Sequence, residues 1–131
     1  LARVACAAKI NGNNADLRTV LDSDCTLEIL TFNDDYGKWT FRHTASHILA
    51  QAVKRLFPSA KLTIGPAVDD GFYYDFDFGD TKLEPADLVK IEKKMVELSN
   101  KEIAISHYDL SKEEAKKLMI KFIENMDLMM K

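Results

Sequence analysis

Residues 42–58 read RHTASHILAQAVKRLFP, and the spacing of their apolar residues decides the fold of this part of the chain. Apolar side chains recur at positions i, i+3, i+4, i+7, i+8 and i+11, the period of an amphipathic helix. They are Ala45, Ile48, Leu49, Ala52, Val53 and Leu56. Because proline has no backbone N–H to continue helical hydrogen bonding, the stretch predicts a helix of about four turns that ends before Pro58.

Two histidines, His43 and His47, lie four residues apart in this helix. Their side chains are about 40° apart around the helix axis and point away from the apolar stripe. The spacing alone leaves three interpretations open: a solvated helix face, a zinc site, or a hydrolytic site in which paired imidazoles position water or accept a proton. We predict no metal site, since the sequence offers no obvious third ligand.

Downstream of this helix the sequence predicts a strand over residues 61–64 and a second over 72–78. In the second, aromatic residues alternate with polar ones, which is the period of a half-buried strand. By this spacing Tyr74 lies on the aromatic core face, whereas Asp75 and Asp77 lie on a solvated face rather than forming a carboxylate pair.

Two further helices follow in the sequence. Pro85 is a favourable first-turn residue, and Ser111 with Glu114 has the spacing of a capping box. Between them, alternating residues predict a short strand over 103–107. The order helix, strand, strand, helix, strand, helix predicts an α+β fold in which helices pack on a mainly antiparallel sheet.

Residues 1–31 have a different pattern, with three short strand-like runs and an Asn11-Gly12 pair that favours a hairpin turn. Three short strands make a thin core, so we expect part of a small β-rich module. The polar residues 32–40 predict a linker.

The composition restricts the classes of function. The chain has 131 residues, 47% hydrophobic and 30% charged, which suits a globular domain. A net charge of −3 excludes nucleic-acid binding by the whole surface, so any RNA contact must be local. The basic cluster of Lys54, Arg55 and Lys61 either contacts a phosphate or is a solvated helix end.

The sequence also bears on location and origin. No apolar run approaches the roughly 20 residues of a membrane span, and residues 1–6 do not show the long apolar stretch of a signal peptide, so we expect a soluble cytoplasmic protein without a membrane partner. Cys6 and Cys25 are too sparse for a disulfide framework. Because the chain begins with Leu1 rather than Met, we expect a processed or excised fragment.

Two motifs together resemble the amino-terminal region of the bacterial threonyl-tRNA synthetase family. They are HTASHILAQA at residues 43–52 and IGPAVDDGFYYDFD at residues 64–77. The first motif alone also fits the editing domain of alanyl-tRNA synthetases. The resemblance implies three parts: a partial TGS module of β-grasp fold at 1–31, a linker at 32–40, and an incomplete second additional (editing) domain at 41–131.

The resemblance also implies a function and site residues. The family's editing domain hydrolyses serine wrongly attached to threonine tRNA, because a pocket built for threonine excludes the smaller serine by only about 1–3 kcal/mol. His43 and His47 match the histidines that bind the terminal adenosine and position the attacking water. Tyr74 matches a tyrosine lining that pocket, against the core position that its spacing predicts, and Lys131 matches the editing lysine.

Other parts of the family pattern are absent from these residues. The second editing motif, the catalytic core that binds ATP, threonine and zinc, and the anticodon-binding domain have no match here. We therefore expect no cofactor in this segment, ATP and zinc in the rest of a homodimeric synthetase, the tRNA(Thr) 3′ end as partner, and little editing by this chain alone. The alternatives are a non-catalytic tRNA- or partner-binding module and, third, a metal-binding structural protein.

Overall fold

In the computed structural model, which describes residues 1–106 and 108–129, residues 1–31 contain a three-stranded antiparallel sheet. Its spatial order is β2-β1-β3, and the strands are β1 (Ala5–Ile10), β2 (Asn13–Ala15) and β3 (Leu27–Thr31). Asn11 and Gly12 have φ of 50° and 79°, because a two-residue hairpin turn favours positive φ at both positions. The predicted hairpin and third strand are confirmed.

The central element is the helix α1 (Asp35–Leu56), which contacts both parts of the chain. It packs against β1 and β3 of the sheet, and it also contacts the β-hairpin and the second helix that follow it. The predicted helix therefore exists but begins at Asp35 rather than Arg42, so most of the segment 32–40, predicted as a linker, is helical.

Contacts with the end of β3 explain why α1 begins so early. The Asp34 carboxylate accepts hydrogen bonds from the Thr31 backbone N–H at 2.7 Å and from the Thr31 hydroxyl at 3.0 Å. Gly37 is buried, and a Cβ there would lie 2.0 Å from the Thr31 carbonyl oxygen. Only a glycine thus allows the first turns of α1 to lie against β3, a tertiary contact that turn-forming composition does not reveal.

Two short antiparallel strand pairs follow α1, one inside the other along the chain. One pairs β4 (Lys61–Leu62) with β7 (Phe76–Asp77), and the other pairs β5 (Ala67–Val68) with β6 (Gly71–Phe72), all antiparallel. The strand predicted over 72–78 is therefore two short strands, and β5 was not predicted. The predicted alternation does hold: Phe72, Tyr74, Phe76 and Phe78 are half-buried, whereas Tyr73, Asp75 and Asp77 are exposed.

The second helix, α2 (Pro85–Asn100), completes the main core. Pro85 stands in its first turn, as predicted, after a capping box between Glu84 and Asp87. The core between α1 and α2 consists of residues that are at most 6% exposed, namely Ala52, Val53, Ala60, Ile91 and Leu98. Phe76 and Phe78 pack against this cluster and close it from the side of β7.

The third helix, α3 (Lys112–Met129), begins with the predicted capping box. The Glu114 backbone N–H donates to the Ser111 hydroxyl at 3.3 Å, and the Ser111 N–H donates to the Glu114 carboxylate at 3.0 Å. The strand predicted over 103–107 is wrong for residues 103–106, which form no strand, and His107 lies outside the described residues. The α+β class, with antiparallel sheets, is confirmed.

Candidate functional site

Four rings lie in a row along the first half of α1, where the two histidines meet two aromatic residues. Tyr36 stacks on Trp39 with centroids 5.8 Å apart, and Trp39 stacks on His43 at 5.0 Å with the planes 7° apart. His43 then meets His47 edge to face at 4.6 Å. The row follows from spacings of three and four residues, which place side chains on one helix face. Sequence analysis missed Tyr36 and Trp39, and the same spacing rule identifies them only once α1 is known to begin at Asp35.

The two histidines are joined by a hydrogen bond, with His43 Nε2 and His47 Nε2 3.1 Å apart. A neutral imidazole has one N–H donor and one acceptor nitrogen, so one histidine donates through Nε2 and the other accepts. The donor then keeps a lone pair on Nδ1, and the acceptor keeps an Nδ1–H. The neutral pair can therefore accept one proton and donate one hydrogen bond to a ligand.

The surroundings of His47, which is an exposed residue, favour its neutral form. Burial lowers the pKa of His47 below its ordinary value, and the charge of a protonated His43 lowers that pKa further. A neutral imidazole near pH 7 is the form that accepts a proton from water or from a ribose hydroxyl. The electrostatics of the pair therefore suit a general base.

The backbone beneath the pair is fixed by buried contacts. Ser46 is 1% exposed, and its hydroxyl donates to the His43 carbonyl oxygen at 2.7 Å. Arg42 donates through Nη1 to the carbonyl oxygens of Val68, at 3.1 Å, and Asp69, which ties α1 to the turn between β5 and β6. The buried surface of α1 therefore extends beyond the predicted apolar stripe and reaches the residues beside the histidines.

Tyr74 has the surroundings of a packing residue. Its ring stacks on Phe76 with centroids 4.7 Å apart, and it covers Gly65 so closely that a Cβ there would lie 2.0 Å from the ring. Within residues 1–106 and 108–129 no hydrogen bond or ring contact joins Tyr74 to His43 or His47. Its role as a pocket residue stays a prediction, and Lys131 lies outside the described residues.

The basic cluster has mainly structural contacts. The Lys54 ammonium donates to the carbonyl oxygens of Pro58 at 2.7 Å and Ala60 at 2.6 Å, and burial lowers its pKa. Lys61 forms an ion pair with Asp77 across β4 and β7, at 3.7 Å. These contacts favour stabilisation of the loop after α1 over phosphate binding.

Two open cavities lie on either side of the aromatic row, and Tyr36 and Trp39 line both. One, of about 560 Å³, lies between α1 and the turn after β5; the other, of about 260 Å³, lies between α1 and residues 15–18. His43 and His47 line neither of these two cavities. In the described part of the chain, no group of three or more His, Cys, Asp or Glu side chains is arranged to hold a metal ion.

Comparison with known protein families shows that residues 1–31 match the TGS domain family. Most of the chain is also similar to proteins named threonine–tRNA ligase. That of Clostridium acetobutylicum is 54% identical over 115 residues, 88% of this chain, and that of Clostridium tetani 55% identical over 119 residues, 91% of this chain. That of Symbiobacterium thermophilum is 50% identical over 117 residues, 89% of this chain.

The chain is therefore homologous to a segment of bacterial threonine–tRNA ligases, and the resemblance predicted from residues 43–52 and 64–77 is confirmed. It spans only 18% of the length of each of these three relatives. Among the helices that the structure describes, none is both long and apolar enough to cross a bilayer.

Proposed function

We propose that this chain is part of a threonine–tRNA ligase, which attaches threonine to its tRNA at the expense of ATP, and that it contributes to removing serine from mischarged tRNA(Thr). Identity of 50–55% to threonine–tRNA ligases over about nine tenths of the chain supports the first part. The hydrogen-bonded His43–His47 pair, 3.1 Å apart on the surface of α1, carries the second.

The proposed chemistry is hydrolysis of an ester. The tRNA 3′ end brings the seryl ester beside α1, and a water molecule attacks the ester carbonyl. One histidine of the pair accepts a proton from the water or holds it through a ribose hydroxyl, and the ester oxygen leaves with a proton as the free tRNA hydroxyl. The products are serine and uncharged tRNA. Which of the two imidazoles takes the proton follows from the tautomer of the pair.

The cofactors of the whole ligase belong to other parts of it. Within residues 1–106 and 108–129, no three His, Cys, Asp or Glu side chains are grouped as a metal ion would need. We propose that ATP, threonine and zinc bind to the rest of a homodimeric cytoplasmic synthetase. The tRNA(Thr) 3′ end is then the partner that this segment shares with the remainder of the enzyme.

The test is deacylation of seryl-tRNA(Thr) by the complete ligase carrying His43→Ala or His47→Ala. We expect each change to slow deacylation by about a hundredfold or more, because positioned general acid–base groups contribute that much. Threonylation is expected to stay at the wild-type rate. Gln51→Ala is the matched control, since Gln51 is the next position on the same helix face and should leave deacylation unchanged.

Equal deacylation rates in the wild type and in both histidine variants would overturn the hydrolytic role. A loss of threonylation in the same variants would mean that α1 supports the fold of the ligase rather than proofreading.

A second candidate, a tRNA-binding module without chemistry, is favoured by one observation. Trp39 is 46% exposed and lines both cavities, so the open edge of its indole offers an apolar contact to an unpaired base. Tight binding of the tRNA 3′ end by this chain, with no dependence of deacylation on either histidine, would favour this module.

A further inference from the structure

Trp39, the single tryptophan of the chain, lies one helical turn before His43. Its indole ring and the His43 imidazole are almost parallel, 7° apart, with centroids at 5.0 Å. Tyr36 stacks on the indole in turn, with planes 14° apart. The indole is therefore held between two rings although nearly half of the residue is exposed.

We propose that Trp39 is a positioning residue: its indole fixes the plane of the His43 imidazole so that Nε2 of His43 stays directed at Nε2 of His47. An imidazole on a helix surface otherwise turns easily about χ2, because this torsion has broad, shallow preferences. A hydrogen bond between two ring nitrogens weakens steeply as its angle departs from linear. A flat contact on one face of His43 removes the rotation that would break the bond to His47.

The same contact selects the histidine that holds an added proton. The face of an indole carries negative charge density and attracts a cation stacked on it. His43 has this contact, whereas His47 meets only the ring of His43 among the described aromatic contacts. An added proton is therefore held on Nδ1 of His43, whose Nε2–H donates to Nε2 of His47, and His47 stays neutral as the acceptor of that hydrogen bond.

Charged groups lie on both sides of Trp39. Asp35, Lys38, Arg42 and Asp69 line the cavity on one side of Trp39, and Asp16 and Arg18 line the cavity on the other. Each cavity is therefore lined by as many acidic as basic side chains. Where α2 packs against α1, it contributes the apolar core residues Ile91 and Leu98.

The first test uses nitrogen-15 NMR of the imidazole rings in this chain, which does not depend on any activity. In the wild type we expect the hydrogen-bonded signature at Nε2 of both histidines near pH 7. Trp39→Leu should replace it with the averaged signals of free imidazoles, and Trp39→Phe, which restores an aromatic face, should recover it. Phe41→Leu is the matched control, since Phe41 is a similarly exposed aromatic of α1 outside the row.

A second measurement keeps Trp39 in place, so it does not depend on the folding of a Trp39 variant. A protonated imidazole stacked on an indole quenches its fluorescence, and Trp39 is the only tryptophan. Emission should fall as the pH is lowered through the titration of the pair. His43→Ala should abolish this change, whereas His47→Ala should retain it. A change that survives in His43→Ala would overturn the proton assignment.

The link to hydrolysis rests on the proposed function and is tested in the complete ligase. Trp39→Leu should lower kcat for deacylation of seryl-tRNA(Thr) by about tenfold with little change in KM, because misplacing a catalytic group lowers the rate of the chemical step. Trp39→Phe should restore most of the rate. Wild-type kcat in Trp39→Leu, while His43→Ala is inactive, would overturn the positioning role and leave the proposed function standing. Wild-type deacylation in His43→Ala would instead overturn the proposed function, and the NMR and fluorescence results would still decide the positioning.

Discussion

The helices α1 and α3 have similar sequence patterns but different surroundings. Both carry an apolar stripe, at residues 45–56 in α1 and 115–126 in α3. The stripe of α1 packs into the core, where Ala52 and Val53 are at most 1% exposed. In α3, Leu118 and Met119 are 46% and 56% exposed.

This difference shows that an amphipathic sequence predicts the apolar face of a helix but not the residues that pack on it. Periodicity predicts that a segment is helical and which face is apolar, and both helices confirm this. It does not predict what covers that face. For α1 the contacts come from residues far away in the chain, in β1, β3 and α2.

The largest expected effect concerns the beginning of α1. Replacing a helical glycine with alanine ordinarily stabilises a helix by about 0.5–1 kcal/mol. At Gly37 the new Cβ would lie 2.0 Å from the Thr31 carbonyl oxygen, so we expect Gly37→Ala to lower the free energy of unfolding by about 3 kcal/mol instead.

Urea denaturation of this variant measures the effect. The control is Gly71→Ala, where a Cβ meets no atom within 4 Å and the change should stay within about 0.5 kcal/mol. A stabilised Gly37→Ala variant would mean that α1 does not lie against β3.

A smaller effect compares the two apolar stripes directly. Val53→Ala in α1 removes two buried methyl groups, so we expect the free energy of unfolding to fall by about 2 kcal/mol. Leu118→Ala in α3 acts on an exposed side chain and should change it by less than about 0.5 kcal/mol. Thermal or urea unfolding of the two variants side by side gives the comparison. Equal losses would contradict the different burial of the two helices.

The smallest effect concerns the carboxylates at the two helix starts. Hydrogen bonds from Thr31 lower the pKa of Asp34 below 3.8, and hydrogen bonds from Ser111 lower the pKa of Glu114 below 4.5. Because each folded pKa lies below the unfolded value, each ionised group adds stability above that value and loses it as the pH falls through the lowered pKa.

We therefore expect Asp34→Asn to lower the free energy of unfolding near pH 7, with the difference from the wild type shrinking as the pH falls below 3.8. Glu114→Gln should alter only the NMR signals of the first turn of α3. A pH-independent difference for Asp34→Asn would show that the amide, rather than the lost charge, causes the change.

Local patterns in the sequence predicted the elements that depend on near neighbours. The Asn11-Gly12 turn, the Pro85 start of α2 and the Ser111–Glu114 capping box each form within a few residues. The beginning of α1 was predicted seven residues too late, at 42 instead of 35, because the contact of Gly37 with Thr31 is tertiary. The strand over 72–78 was predicted as one because the alternation of its side chains continues across the break between β6 and β7.

The candidate site was predictable in part for the same reason. The spacing of His43 and His47 placed both imidazoles on one face, and their 3.1 Å contact follows from it. The lowered pKa of His47 depends first on partial desolvation of its ring, which spacing does not give. Trp39 was missed because it was considered part of a polar linker, and only the early start of α1 brings it into the row.

The continuity of α1 has a mechanical consequence. Its 22 residues form a rod about 33 Å long, held at Gly37 against the sheet, with the histidine pair about 9–15 Å along it. If the sheet of residues 1–31 turns by about 10° relative to the rest of the chain, α1 acts as a lever and carries the pair through roughly 2 Å. That displacement exceeds the tolerance of a reacting geometry, so the contact of α1 with the sheet also fixes the position of the imidazoles.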